Sequence, residues 1–206
     1  MPSPLKNRLL AFVLIAVLGC ALDLWTKSWI FGNLGMPGQA PPIVLWPRVF
    51  SLTTSLNEGA LFGLGQGMTF LFAGLSIVAA TGIFYWLFRL GAARDWVLTI
   101  SLGAIMGGIF GNLYDRVGLP GLQWNFPADR IGEPVYAVRD WLHFRLEDAQ
   151  GGEIFDWPVF NIADCLLVTG SILLVLYGLR QPAPASEKLA SANGGTKPSP
   201  HATTQV

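Results

Sequence analysis

Trp157-Pro158-Val159-Phe160-Asn161-Ile162-Ala163-Asp164 sets an amide and a carboxylate at the mouth of an apolar run, and from Cys165 to Leu179 that run carries no charged side chain. Pro158 suits the first turn of a helix, where a missing N–H costs nothing, so the stretch predicts Asn161 and Asp164 on one helix face at i and i+3. A carboxylate in a membrane helix is expensive and marks a face turned to protein or to water. Asp164 is therefore the first functional candidate.

The composition around it agrees. The 206 residues are 52% hydrophobic and 13% charged, with zero formal net charge and a mean hydropathy of +0.48. These values indicate an integral membrane protein. Without a basic excess there is little to attract nucleic acid, which is discounted as a partner. Cys20 and Cys165 both fall in apolar runs and read as small buried side chains, not as a disulfide or a zinc site. The only histidines, His143 and His201, lack ligand spacing to a partner, so neither a metal nor another cofactor is expected.

Outward from Asp164, three further runs are long enough to cross a bilayer. The predicted spans are residues 9–31, 69–88, 96–116 and 159–179, each near or above the length that about 30 Å of hydrocarbon needs. The first has an alternative reading, because Lys6-Asn7-Arg8, an apolar run and Val17-Leu18-Gly19-Cys20 resemble a cleavable lipoprotein signal. Bulky Leu18 and the apolar residues resuming at Trp25, Trp29, Ile30 and Phe31 favour a retained helix. Between the first two spans, Ile43–Trp46 and Val49–Thr54 read as short strands of an extracytoplasmic sheet, and residues 57–63 as a polar turn feeding an interfacial helix. If four helices alternate, Lys6, Arg8, Arg89, Arg94, Arg180, Lys188 and Lys197 share one side, which places both termini in the cytoplasm. Asn57, Asp115, Asp140 and Asp164 gather on the other. The expectation is a membrane all-α core over residues 1–180, forming one membrane-embedded domain, with residues 181–206 a disordered tail.

Several pairings within this frame carry chemistry. Asp23 and Lys27, at i and i+4 near the end of the first span, read either as an ion pair at the interface with Lys27 snorkelling or as residues ordering a site. Gly103, Gly107 and Gly111 form a ridge that admits a second helix, beside a row of Gly108, Asn112 and Arg116. Arg116 either anchors at the interface or pairs with Asp115, or else it tunes nearby carboxylates. Asp140, in Val138-Arg139-Asp140-Trp141, is either an exposed acid paired with Arg139 or the second member of a pair with Asp164. Two carboxyl groups that meet in a partly dehydrated site hold one proton between them. That arrangement hydrolyses an amide: the charged member takes a proton from water while its protonated partner polarises the carbonyl.

Asp23 with Thr26-Lys27, Asn57-x-Gly59-Ala60-x-Phe62-Gly63, Gly107-Gly108-x-x-Gly111-Asn112-Leu113-x-Asp115-Arg116, Val138-x-Asp140-Trp141 and Pro158-x-Phe160-Asn161-x-Ala163-Asp164 together resemble, in order and topology, the lipoprotein signal peptidases (signal peptidase II). The resemblance covers residues 9–179 and implies an aspartic endopeptidase of the bacterial inner membrane, working near the extracytoplasmic face. Asp140 and Asp164 would be its catalytic aspartates, with Asp23, Lys27, Asn57, Gly108, Asn112, Arg116 and Asn161 lining or ordering the site. The implied substrate is a diacylglyceryl-modified prolipoprotein, cut before its lipidated cysteine and entering from the membrane lipids through a lateral opening. Globomycin is implied as a ligand of the same cleft. Residues 117–139 and 142–157 look longer than the family pattern, and Trp141 stands where phenylalanine is commoner. A presenilin-like protease would need a Gly-x-Gly-Asp partner that is missing here. A transporter would place its acids at mid-membrane, and a structural subunit leaves the facing amides and carboxylates unexplained.

Overall fold

The computed structural model describes residues 4–59, 65–91, 93 and 95–180. Four helices are long and apolar enough to cross a membrane: α1 (Pro4–Leu34), α2 (Thr69–Arg89), α3 (Trp96–Arg116) and α4 (Ile162–Arg180). A four-stranded antiparallel sheet accompanies them, in the order β1 (Ile43–Trp46), β2 (Phe50–Asn57), β3 (Val138–Glu147) and β4 (Glu153–Asp156). Residues 60–63 of the predicted interfacial stretch and the predicted tail, residues 181–206, lie outside the described residues.

Helix α3 is central. It packs against each of the other three helices, and its small residues set how closely they come. A Cβ at Gly103 would lie 3.2 Å from the Phe12 carbonyl oxygen, and one at Gly107 would lie 3.0 Å from that of Ala16, so the glycine ridge receives α1. On another face a Cβ at Gly108 would come within 2.5 Å of the Ala163 carbonyl oxygen, which seats the first turn of α4. The outer faces of α1, α2 and α4 stay apolar and exposed, at Leu18, Val78 and Val175 for example, as lipid-facing surface requires.

Helix α1 outruns its predicted span at both ends. Its 31 residues reach about 46 Å at about 1.5 Å each, more than the hydrocarbon core needs. One stripe is buried along it, through Phe12, Ala16, Asp23, Lys27 and Ile30. The two charged residues therefore continue the apolar contact face instead of reaching the interface.

The sheet corrects two expectations. Strand β2 runs past Thr54 to Asn57, whose Oδ1 accepts from the Gly59 N–H at 2.9 Å and so opens the expected turn, and β3 and β4 occupy the long segment that carried no predicted strand. Helix α4 also begins later than expected. Pro158 lies ahead of it, because Phe160 is tied to β3: the Phe160 carbonyl accepts from the backbone N–H of Trp141 at 3.0 Å and of Leu142 at 2.8 Å, and the Phe160 N–H donates to the Leu142 carbonyl at 3.0 Å. Asn161 is thus the residue before the first turn, and the strand holds the mouth of α4 beside Asp140.

Candidate active site

The first turn of α4 closes on itself. The Asp164 N–H donates to the Asn161 side-chain oxygen at 3.0 Å, and the Asn161 N–H donates to Asp164 Oδ2 at 3.2 Å, a reciprocal capping box that satisfies two otherwise orphaned donors. A third donor, the Ala163 N–H, reaches Asp23 Oδ1 of α1 at 2.9 Å. The start of the last helix is therefore capped partly by the first. Asp164 Oδ1 accepts from the Asn112 amide of α3 at 2.9 Å, which fixes the carboxyl group between two helices.

Asp140 approaches from the strand. Side chains alternate across β3, so Arg139 and Asp140 leave on opposite faces, and both faces are covered. Arg139 is the partner of Asp115, through Nε at 2.9 Å and its own backbone N–H at 3.1 Å. This excludes the pairings of Arg139 with Asp140 and of Arg116 with Asp115. Asp140, 1% exposed, instead accepts from the Asn161 amide at 2.5 Å and from the Asn57 amide, across the β2–β3 ladder, at 3.2 Å. Asn161 thus joins the two aspartates, bonding Asp140 by its side chain and Asp164 by its backbone. Burial, followed by the nearby Asp164 carboxyl, pushes the Asp140 carboxyl up to about 8, against the opposing hydrogen bonds of Asn161 and Asn57 and the charge of Lys27.

Both aspartates line one cavity of about 350 Å³, together with Asn57, Asn112, Arg116 and Trp157. Leu167 and Val168 of α4 extend the wall toward the apolar surface. The buried Arg116 guanidinium donates to the Gly59 carbonyl at 3.1 Å and lies over the Phe72 ring at 5.7 Å. It presents positive charge to the cavity without an ion-pair partner among the described residues.

Beneath the cavity sits a charge cluster with no exposed edge. Lys27 Nζ lies 2.7 Å from Asp23, 3.0 Å from Asp115 and 3.0 Å from the Asn112 side-chain oxygen, so each of its three protons has an acceptor in reach. With Arg139 on Asp115, two cations face two carboxylates. Neither Lys27 nor Asp23 snorkels, since both are fully buried. Asn112 connects this cluster to the cavity, accepting from Lys27 and from the Asn161 amide on its oxygen and donating to Asp164 from its nitrogen.

Of the residues singled out in the sequence, Asp140, Asp164, Asn57, Asn112 and Arg116 meet at the cavity, Asn161 bridges its acids, and Asp23 and Lys27 brace it from below. Gly108 does not touch the cavity; it is the contact point of α3 and α4. Three features went unread. Arg139 turns away from Asp140 because neighbouring residues of a strand point to opposite faces. Asp115 as a clamp was hidden by its neighbour Arg116. The third is a bidentate pair between Arg130 and Glu58, at 2.9 Å for each bond, which ties the loop after α3 to the turn beside Asn57.

Comparison with known proteins agrees with this architecture. The family model described as signal peptidase (SPase) II matches residues 15–180. The lipoprotein signal peptidase of Rhodopirellula baltica is 44% identical over 175 residues, covering 82% of this chain and 72% of that protein. The lipoprotein signal peptidase of Pseudomonas putida is 33% identical over 182 residues, covering 85% and 92%. A solved bacterial membrane enzyme shares the fold, with a TM-score of 0.61 at 22% identity over 92% of this chain and 94% of that one. A match over most of the length, to the family as a whole and to individual relatives, establishes that this chain belongs to the signal peptidase II family.

Proposed function

We propose that Asp140 and Asp164 are the catalytic pair of an aspartic endopeptidase that removes the signal peptide from diacylglyceryl-modified prolipoproteins, cutting before the lipidated cysteine. The observation that carries this reading is the junction at Asn161, which holds a strand carboxyl and a helix carboxyl to the wall of one cavity. Asp140 enters the cycle protonated, in keeping with its raised pKa. Asp164, half-buried on the wall of the same cavity, takes the part of the carboxylate. Water bound between them gives one proton to Asp164 and attacks the scissile carbonyl carbon, while the Asp140 proton passes to the carbonyl oxygen. The tetrahedral intermediate collapses as the proton on Asp164 moves to the departing cysteine nitrogen and the hydroxyl proton returns to Asp140. Asn57, Asn112 and Asn161 keep both carboxyl groups oriented through the cycle.

Direct access from the bilayer suits such a substrate. An apolar groove of about 410 Å³ along α4 shares Leu167 and Val168 with the catalytic cavity, so acyl chains or an apolar signal segment need not leave the membrane to reach it. By the positive-inside rule, Lys6, Arg8, Arg89 and Arg180 mark the cytoplasmic ends of the helices, with the aspartates near the extracytoplasmic face. On this reading globomycin binds in the same cavity, as a competitor of substrate.

The test is to make Asp140→Asn and Asp164→Asn separately in the full-length protein, confirm membrane insertion, and follow cleavage of a diacylated prolipoprotein with and without globomycin. Each variant is expected to lose turnover by at least about a thousandfold, as for essential acid–base groups. Wild-type turnover is expected to be blocked competitively. An inserted single variant that still turns over at the wild-type rate refutes the assignment.

A further inference from the structure

The catalytic cavity opens in two directions whose chemistry differs. Toward the membrane it runs into the α4 groove, lined by Ile172, Val175 and Leu176 beside one serine. Toward the sheet it shares Ser55 and Val159 with a further groove of about 480 Å³. That groove is of mixed character: Ser51, Thr53, Arg48, His143 and Arg145 line it together with apolar residues such as Val44 and Trp46, so it is more polar than the α4 groove without being wholly so. A signal peptidase substrate has the same division across its scissile bond, an apolar segment before it and a water-soluble chain after it.

We infer that the sheet groove receives the first residues of the mature polypeptide, those following the lipidated cysteine, as an extended segment. This rests on the proposed function and adds a binding site to it. Two features of the groove fit an extended chain with polar or acidic side chains. The β2–β3 register breaks between Leu52 and Ser55, leaving Thr53 and Thr54 without register partners in either neighbouring strand, and a bulge of this kind offers backbone groups to an added segment. One guanidinium is also left over: Arg145 is paired with Glu147 and the His143 ring is hydrogen-bonded to Asp156, whereas Arg48 has no ion-pair partner among the described residues. Arg48 moreover holds φ at 63° in the turn Trp46-Pro47-Arg48-Val49, at a position where glycine is favoured. The guanidinium is kept there against the backbone preference.

The experiment uses the full-length enzyme in vesicles and three diacylglyceryl prolipopeptides. One ends at the modified cysteine, one continues for about five neutral residues and one continues for about five residues that include aspartate, enough to span a short strand. With wild type, the extension is expected to lower KM by about fivefold, more for the acidic chain, with kcat unchanged. Ser51→Trp, which fills the groove outside the catalytic cavity, is expected to abolish the gain while the short peptide is cleaved as before. Arg48→Ala is expected to remove only the acidic preference. Equal cleavage of all three peptides by wild type overturns the inference. So does an equal loss on short and long peptides in Arg48→Ala that follows the anionic lipid content of the vesicles, which would make the groove a headgroup site. The short peptide separates the two readings: its cleavage by wild type and not by Asp164→Asn upholds the catalytic pair whatever the groove does.

Discussion

Asp115 and Asp140 are both buried carboxyl groups, yet their surroundings give them different work. Asp115 is held by Lys27 and Arg139 and does not line the cavity, so it fastens α1 and β3 onto α3. Asp140 is held by two neutral amides and keeps its oxygens at the cavity wall. Removing one member of a buried ion cluster leaves an uncompensated charge and costs about 3–5 kcal/mol. Asp115→Asn is therefore expected to lower stability by about that amount, read as a fall in the unfolding midpoint in detergent, and to retain measurable cleavage at a permissive temperature. Complete loss of cleavage with unchanged stability would instead put Asp115 in the reaction. The sequence already spelled out most of these residues, because amides and acids inside apolar runs stand out. Their pairings were harder to read, since Arg116 follows Asp115 and Arg139 precedes Asp140 in sequence, whereas the bond that forms joins Asp115 to Arg139 across elements.

At the scale of elements, the site depends on the close contact of α3 with α4. Asn112 on α3 and Asp164 on α4 bond at 2.9 Å only because Gly108 lets the Ala163 carbonyl come close. Gly108→Ala is expected to push the helices apart, weaken the Asn112–Asp164 bond and lower kcat/KM by at least about tenfold, since small displacements of catalytic groups have effects of that size or more. Gly178→Ala, with open space around the added methyl, serves as the control and is expected to leave kcat/KM within about twofold. The helices were legible from charge-free runs. Strand β3 was legible in part: Leu142 to Glu147 alternates apolar and polar residues, whereas Val138 to Trp141 is buried on both faces and shows no alternation, and the four residues of β4 are too few to show a period. The start of α4 was misplaced for a related reason. Proline favours a first turn, but backbone pairing of Phe160 with Leu142 holds that stretch extended, while Asn161-x-x-Asp164 carries the cap signal.

For the whole molecule, the apolar outer faces of the helices, the sheet gathered at one end and the basic residues at the other predict a fixed orientation in the bilayer. Single cysteines introduced at Gly91, in the turn after α2, and at Gly151, between β3 and β4, are expected to react with an impermeant thiol reagent from opposite sides, Gly151→Cys from the extracytoplasmic side. Reaction from the same side would dismiss the four-span arrangement. The central claim, however, is one proton held between two carboxyl groups in that frame. It is tested most directly by infrared difference titration of the protonated carboxyl C=O stretch in vesicles, followed beside kcat/KM. Because the Asp140 carboxyl is raised to about 8, its acid form is present at neutral pH and is lost as pH rises through that value. The predicted result is a carboxylic acid band that fades near pH 8 together with activity and is absent from Asp140→Asn. A wild-type spectrum without that band at neutral pH, or activity that persists after the band has gone, would contradict the account.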